Sequence, residues 1–216
     1  MDNVVITVAR GFGTGGKEIS TKLAQELGIN CYENRILTLA SQLSGYDESE
    51  FVKEDEKLPG SRFSQLLKKI HISREPRPER KEFIQKWDLF DFQAKVIRDL
   101  ANTESCVIVG KCADHVLRDY KNVISLYIEA PWPYCRDRIM RKMNVGPEEA
   151  DELISKTDKY RADYYKYYTR GNYWTNPVNY DLTLNSEKVG QDNCIKVIKD
   201  YIHIKFPDAV FPGEKK

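Results

Sequence analysis

The feature that most constrains this sequence is a glycine-rich stretch between a strand pattern and a helix pattern. Residues Val4 to Ala9 are apolar and largely β-branched, which predicts a buried strand. The stretch GFGTGGKE, residues 11–18, follows at once, and Ile19, Leu23 and Leu27 then recur at helical spacing. A glycine-rich loop between a strand and a helix is typical of phosphate-binding sites in α/β folds.

The loop pattern predicts an anion nest made of backbone N–H groups. Its glycines let the chain turn its amides inward, and the following helix adds the positive end of its dipole. Lys17 has the offset from which a lysine reaches the β- and γ-phosphates of a nucleotide. A glycine turn without a ligand is the alternative. The candidate nucleotide-binding residues are Gly11, Gly13, Thr14, Gly15, Gly16, Lys17, Glu18 and Ile19.

Glu18 departs from the usual form of this loop, in which a serine or threonine after the lysine ligates Mg²⁺. A carboxylate beside a triphosphate is repelled unless a metal intervenes or the side chain points away. Three interpretations are open. The side chain faces outward as an acid of the first helical turn, or it contacts Mg²⁺ through water, or the loop is degenerate.

The rest of the chain alternates between strand and helix patterns, which predicts a parallel sheet covered by helices on both faces. The stretch 132–170 is predicted to be helical with a break at Gly146 and Pro147. Residues 189–206 are predicted to form a closing helix with Val197, Ile198 and Ile202 on one face. Further strands are predicted at 29–32, 106–109, 123–128 and 181–184.

Composition argues against several classes of function. The net charge is +1, so no overall positive field attracts nucleic acid, and the N-terminus has no signal-peptide pattern. No apolar run reaches the ~18 residues of a membrane span. The five cysteines are odd in number and lack C-x-x-C spacing, which disfavours a disulfide framework or a zinc site. We expect a cytoplasmic protein that binds neither nucleic acid nor membranes and holds no metal through its own side chains.

Several segments, in order along the chain, resemble the cytidylate kinase-like family of P-loop proteins. They are ITVARGFGTGGKEIS, LGINCYENRIL, CVIVGKCAD, KYRADYYKYYT and NYDLTLNSEKVG, and they extend from about residue 4 to residue 200. The resemblance implies a three-layer P-loop NTPase fold with a five-stranded parallel sheet in the order 2-3-1-4-5. It also implies use of ATP and Mg²⁺, and it makes Glu18 a feature of this branch.

The resemblance further implies a domain organisation. Residues 1–206 form a single P-loop kinase-like domain, in which 47–90 is an acceptor-side insertion and 142–172 is a helical lid that closes over the site. The 47–90 segment is charged and irregular, and it departs most from true cytidylate kinases. Residues 207–216 are expected to be a peripheral tail.

Phosphoryl transfer needs cations around the moving group, because charge spreads over its oxygens in the transition state. Arg138 and Arg141 are three residues apart and share a helix face, and an exposed basic helix is the alternative. Arg161 matches the lid arginines of the family, and Asp158 is placed to orient it. With Lys17, these three arginines are the candidate catalytic residues.

The acceptor side is assigned from the same resemblance. It places Asn34 and Arg35 beside the acceptor, with Arg35 on its phosphate. The run Gly-Lys-Cys-Ala-Asp stands where cytidylate kinases have Gly-Arg-Asp, which makes Lys111 and Asp114 further acceptor candidates. Lys111 keeps the charge of arginine without its planar fork. Asp114 as an acid of a helix N-terminus is the alternative.

We therefore expect an ATP-dependent phosphotransferase, with a nucleoside monophosphate such as CMP as its acceptor. Its partners are a nucleotide donor and a small phosphorylatable acceptor. Two other functions stay open: a nucleotide-binding regulatory module without turnover, and a P-loop kinase for a non-nucleotide metabolite. The oligomeric state does not follow from the sequence.

Overall fold

The computed structural model describes residues 3–45, 49 and 86–214 of the 216-residue chain. Its strands pair in parallel throughout and lie in the order β2-β3-β1-β4-β5, as the family resemblance implied. The strands are β1 (Val5–Arg10), β2 (Asn30–Tyr32), β3 (Cys106–Val109), β4 (Val123–Glu129) and β5 (Leu182–Asn185).

Helices cover both faces of this sheet, which confirms the three-layer α/β prediction. Most of the predicted 47–90 insertion lies outside the described residues. The described helices are α1 (Gly16–Leu27), α2 (Arg35–Ser44), α3 (Lys86–Thr103), α4 (Ala113–Val116), α5 (Trp132–Met143), α6 (Pro147–Tyr168), α7 (Ser186–Val189) and α8 (Gln191–Lys205), with 3₁₀ turns at Pro177–Asn179 and Pro212–Glu214.

The strand alternation separates two apolar cores. In β1, Val5 packs into the core under α2 and α3, whereas Ile6 and Val8 pack into the core under α1 and α8. Each of these side chains is essentially fully buried. Because both faces of a parallel sheet are buried, the strand reads as a continuous apolar run, which is why it was recognisable in the sequence.

The predicted break in the 132–170 helix is confirmed. The chain leaves helix α5 at Asn144 in a left-handed conformation, and α6 begins at Pro147. Proline is well suited to a first helical position, because its missing N–H would have no partner there. The two helices enclose a small separate apolar cluster around Ile139 and Ile154.

The observed structure differs from the predicted closing helix in two respects. The helix is interrupted at Gly190, which has a positive φ, so α7 and α8 are separate helices. The buried face of α8 contains Cys194, Ile195, Ile198 and Ile202, whereas Val197 is 39% exposed. None of the described helices combines the length and apolar character that a membrane crossing requires.

The tail at 207–216 was expected to be peripheral. In the part that the structure describes, up to residue 214, it packs against the domain instead. Phe211 is 1% exposed and belongs to the core under α1 and α8. Gly213 lies so close to α1 that an added Cβ would be 2.2 Å from the carbonyl oxygen of Glu26. The tail therefore closes the outer side of α1, and an aromatic residue near the chain end was the signal for this.

Phe211→Ala is expected to lower the free energy of unfolding by about 3 kcal/mol, because the deletion leaves a cavity in a packed core. Urea denaturation measures the loss. Val210→Ala is the matched control, since Val210 is 68% exposed, and its effect should stay within about 0.5 kcal/mol. Equal effects of the two substitutions would contradict the docking of the tail.

Candidate functional site

The glycine loop lies at the carboxyl end of β1 and runs directly into α1. Gly13 and Gly15 have φ values of +86° and +83°, a region that residues with a Cβ rarely adopt. A Cβ at Gly13 would also lie 2.8 Å from the carbonyl oxygen of Cys135. Both positions require glycine, and the loop amides and the N-terminus of α1 together form an anion-binding nest.

The loop is anchored from three sides. The Thr14 hydroxyl is buried and donates to the Gly11 carbonyl at 2.9 Å. Ser186, at the start of α7, donates its hydroxyl to the Thr14 carbonyl at 2.6 Å. Arg138 of α5 donates from Nε to the Gly13 carbonyl at 3.0 Å. These contacts fix the loop before any anion enters, so binding does not have to order it.

Glu18 lies in the first turn of α1, partly exposed, and contacts two cations of α5. Lys142 Nζ is 2.7 Å from Glu18 Oε1, and Arg138 is 3.6 Å away. Burial alone would raise the pKa of Glu18, but Lys142 and Arg138 bring the pKa below its ordinary value. Glu18 is an acid of the first helical turn, as the first interpretation has it, and it also connects the loop helix to α5, which the sequence did not indicate.

Lys17 is held by a carboxylate from the next element of the fold. Its Nζ lies 2.5 Å from Oε2 of Glu33, which follows β2 directly. The other carboxylate oxygen of Glu33 accepts from Arg10 at 3.1 Å. Burial raises the pKa of Glu33, but Arg10 and Lys17 outweigh this effect, so the pKa lies below its ordinary value. Glu33 is therefore an anion between two cations.

Arg161 of α6 reaches the loop from the opposite side. Its guanidinium donates to the Arg10 carbonyl at 3.1 Å and to Asp158 Oδ1 at 3.2 Å, so Asp158 orients it as expected. The same Asp158 oxygen accepts from the backbone N–H of Phe12 at 2.8 Å. Burial and the nearby Arg10 lower the pKa of Arg161 to about 9, so the group is still protonated at neutral pH.

The turn after β3 is left-handed over three residues. Gly110, Lys111 and Cys112 have φ values of +75°, +60° and +52°. A Cβ at Gly110 would lie 2.5 Å from a guanidinium nitrogen of Arg10, so this glycine admits the arginine. Two consecutive non-glycine residues with positive φ store strain, which is typical of functional sites.

Asp114 follows this turn and is buried. It accepts from the Tyr165 hydroxyl at 2.7 Å. Burial raises the pKa of Asp114 to about 6, although the hydrogen bonds from Tyr165 and the backbone oppose the shift. The folded protein therefore favours the neutral carboxyl group more than the unfolded chain does.

Asp114→Asn is expected to gain stability relative to the wild type as the pH rises. The folded pKa of Asp114, about 6, lies above the ordinary value of 3.8. The stability that the wild type gains from protonated Asp114 is therefore fully present below about pH 4 and is lost as the pH rises through 6. The gain between about pH 4 and pH 8 should be on the order of 2 kcal/mol by urea denaturation. Asp119→Asn is the exposed control, and a gain that does not change with pH would contradict the assignment.

These elements surround one cavity of about 500 Å³ at the carboxyl edge of the sheet. Ligand sites in doubly wound sheets lie at this edge, and the volume lies in the range of small-molecule sites. The loop and Arg138 form one side. The other side is formed by the ends of β2 and β3 and by α6, with Asn34, Lys111, Asp114, Tyr164 and Trp174 among the lining residues.

The structure does not bring every sequence-predicted residue to this cavity. Arg35 is exposed and its guanidinium lies 5.6 Å from the centre of the Tyr32 ring. Arg141 is exposed and donates from Nε to the carbonyl of Asp137 in its own helix. Neither is among the cavity-lining residues.

Conversely, sequence reasoning missed Arg10 and Glu33, which both line the cavity. Each directly follows a predicted strand. The rule that ligands bind at the carboxyl ends of parallel strands was the signal that would have identified them.

No group of three or more metal-ligating side chains occurs among residues 3–45, 49 and 86–214. All five cysteines lie in these ranges, and none of them forms a disulfide.

Comparisons with known proteins agree with this geometry. A family model described as the cytidylate kinase-like family matches residues 5–188. An uncharacterized protein from Eubacterium ventriosum ATCC 27560 has a similar solved structure, with 26% identity, a TM-score of 0.66, and coverage of 93% of this chain and 98% of that chain. A search of curated proteins gave no match.

More distant structures share the fold. Shikimate kinase from Bacteroides thetaiotaomicron has 9% identity and a TM-score of 0.53, over 93% of this chain and 98% of its own. A sugar kinase from Janibacter sp. HTCC2649 has 14% identity and a TM-score of 0.54, and the match covers 94% of this chain and 95% of that chain. At these identities the likeness concerns architecture alone.

Proposed function

The chain belongs to the cytidylate kinase-like family, and from this premise we propose that it is an ATP-dependent phosphotransferase that acts on a small acceptor. The observation that carries the proposal is the preformed loop. Its amides and Lys17 open onto a cavity that Arg138 and Arg161 also line. A phosphoryl group placed there meets cations from three separate elements.

The chain's own residues act by position and charge. The loop amides and Lys17 hold the donor phosphates, and Arg138 and Arg161 stabilise the charge that develops on the moving phosphoryl group. No side chain of the protein becomes phosphorylated. Transfer is expected to be direct, because the donor and acceptor share one cavity.

Mg²⁺ enters this proposal with the nucleotide. The described residues offer no set of metal ligands, and Glu18 is occupied by Lys142 and Arg138. Mg²⁺ commonly keeps several waters and binds through substrate phosphates, which fits a site without a protein cage. When bound, the ion neutralises phosphate charge.

We propose that α6 acts as part of the lid, within 142–172. Arg161 and Asp158 of this helix contact the loop backbone at Arg10 and Phe12, so closure of α6 and organisation of the loop are linked. A lid that closes in this way excludes water from the transferred group.

The finer proposal concerns the acceptor and the compartment. From the family we propose a nucleoside monophosphate, CMP first, with Asn34, Lys111 and Asp114 on the acceptor side. A hydroxyl-bearing metabolite is the second candidate, and it is favoured by the carboxylate of Glu33 beside Lys17. The lack of a disulfide among the five cysteines favours a reducing cytoplasm.

The test is acceptor-dependent formation of ADP from ATP–Mg²⁺. The panel contains nucleoside monophosphates, nucleosides, sugars and polyols, and ATP binding is measured by calorimetry in parallel. Formation of ADP with one acceptor class, together with its phosphorylated product by mass spectrometry, would support the proposal. Tight ATP binding without ADP from any acceptor would support a regulatory module instead.

A further inference from the structure

Glu33 is a carboxylate in the cavity for which the proposed transfer to a nucleoside monophosphate has no use. Its Oε2 lies 2.5 Å from Lys17 Nζ, and its side chain is 20% exposed. Because Lys17 is the residue that would hold the γ-phosphate, Glu33 lies one contact away from the group to be transferred. It reaches this point from the end of β2, which is the acceptor side of the cavity.

Two of the described cations on this side are paired with carboxylates, and Lys111 is a third cation that lines the cavity. Arg10 is paired with Glu33 at 3.1 Å, and Arg161 is paired with Asp158 at 3.2 Å. Arg35, which the resemblance placed on an acceptor phosphate, does not line the cavity. A phosphate acceptor would bring close to two negative charges beside Glu33, and like charges at such short range repel. A neutral acceptor meets no such barrier.

We propose that Glu33 accepts the proton of an acceptor hydroxyl, and that the substrate class is therefore a neutral alcohol and not a phosphate monoester. This inference rests on the proposed phosphoryl transfer and chooses the second of its two acceptor classes. The acceptor oxygen forms a bond to the γ-phosphorus, and the bond from that phosphorus to the β,γ-bridging oxygen breaks. The hydroxyl proton passes to Glu33 and then to solvent, and ADP leaves.

The contacts of Glu33 change when the donor is bound. Donor phosphates would compete with Glu33 for the Lys17 ammonium group, so donor binding weakens the hold of one cation on the carboxylate. Arg10 and Lys17 hold the pKa of Glu33 below its ordinary value in the free protein. Loss of one partner makes the carboxylate a better proton acceptor at the moment when an acceptor is present.

The remaining lining suits an uncharged polar ring or chain. Tyr160, Tyr164 and Trp174 provide apolar faces, whereas Asn34 and Asp114 provide hydrogen-bonding groups. Asp114 accepts a hydrogen bond from Tyr165, and a carboxylate oxygen can accept a further one from a substrate hydroxyl. Such a mixture of aromatic faces and a few polar groups is typical of small-molecule sites.

Water is the smallest hydroxyl acceptor, so ATP hydrolysis tests the inference without knowledge of the natural substrate. We compare wild type, Glu33→Gln and Glu33→Asp for hydrolysis of ATP–Mg²⁺ and for transfer to the hydroxyl compounds of the panel. Glu33→Gln should lower both rates roughly 10²-fold, while the dissociation constant for ATP–Mg²⁺ changes less than about threefold. Glu33→Asp should retain part of the rate, because it keeps the carboxylate. Glu26→Gln, on the outer surface of α1, is the matched control and should behave as wild type.

Two results would overturn the inference. One is transfer to CMP or another monophosphate at a rate that Glu33→Gln leaves unchanged. The other is transfer to a hydroxyl compound by the wild type at a rate that Glu33→Gln leaves unchanged. Failure of the proposed function looks different, because then the wild type would bind ATP without forming ADP with any acceptor or with water. Circular dichroism and thermal unfolding of each variant show that a lost rate does not come from a lost fold.

Discussion

Lys17→Ala is expected to lower kcat/KM for phosphoryl transfer by roughly 10²- to 10³-fold or more. Lys17 stands in the first turn of α1, directly after the nest, and its ammonium group projects into the cavity toward Glu33. Its removal takes away the positive charge closest to where the γ-phosphate would lie, and the remaining loop amides cannot replace a full charge. Steady-state kinetics with ATP–Mg²⁺ and the identified acceptor measure the effect.

Lys22→Ala is the matched control for this substitution. Lys22 lies on the same helix and is exposed. Its Nζ is 2.7 Å from Asp192 Oδ1, and this ion pair lies outside the cavity. It should retain wild-type kinetics. Because Lys17 is itself exposed, its own replacement should change the free energy of unfolding by no more than about 1 kcal/mol. A Lys17→Ala protein with wild-type turnover would remove the loop from the mechanism.

Arg161→Ala is expected to lower kcat by roughly 10²-fold, with a smaller effect on ATP binding. The guanidinium touches the loop backbone at Arg10 and is oriented by Asp158, so it can contact the phosphoryl group as charge develops there. Arg161→Lys should restore only part of the rate, since lysine keeps the charge but loses the planar fork. The split between kcat and KM distinguishes this role from simple substrate binding.

Arg118→Ala provides the control for Arg161, because Arg118 is an exposed arginine that pairs with Asp119. Its kinetics should match the wild type. Replacement of Arg161 removes the hydrogen bond to Asp158 and leaves that of the Phe12 amide, so each variant is first checked for thermal stability. A stable Arg161→Ala protein with a kcat within threefold of wild type would contradict the assigned role.

Much of the fold could be predicted because its determinants are local in the sequence. The β1 strand, the left-handed glycines and the apolar stripe of α1 are contiguous, and each agrees with the others. The break at Gly146 and Pro147 is likewise local. Burial of Phe211 could not be predicted in this way, because it depends on where the chain end passes relative to α1.

The site could be predicted only in part, for the same reason. The loop residues follow from one motif, whereas the pairing of Lys17 with Glu33 depends on β2 and β1 ending at one edge of the sheet with β3 between them. The spacing of Arg138 and Arg141 placed both on one face. Packing of α5 against the loop brings Arg138 to Gly13 and leaves Arg141 exposed. Sequence periodicity defines a face but not the element that lies against it.

The most direct test of the central claim follows the γ-phosphoryl group itself. ATP labelled in the γ-phosphate is incubated with Mg²⁺, the acceptor panel and either wild-type or Lys17→Ala protein, and the labelled products are separated and identified. The expected result is label in an acceptor with the wild type, and roughly 10²-fold less with Lys17→Ala. The opposite result is a wild-type protein that binds ATP but leaves all of the label in ATP with every acceptor. That result would contradict phosphoryl transfer as the function of this site.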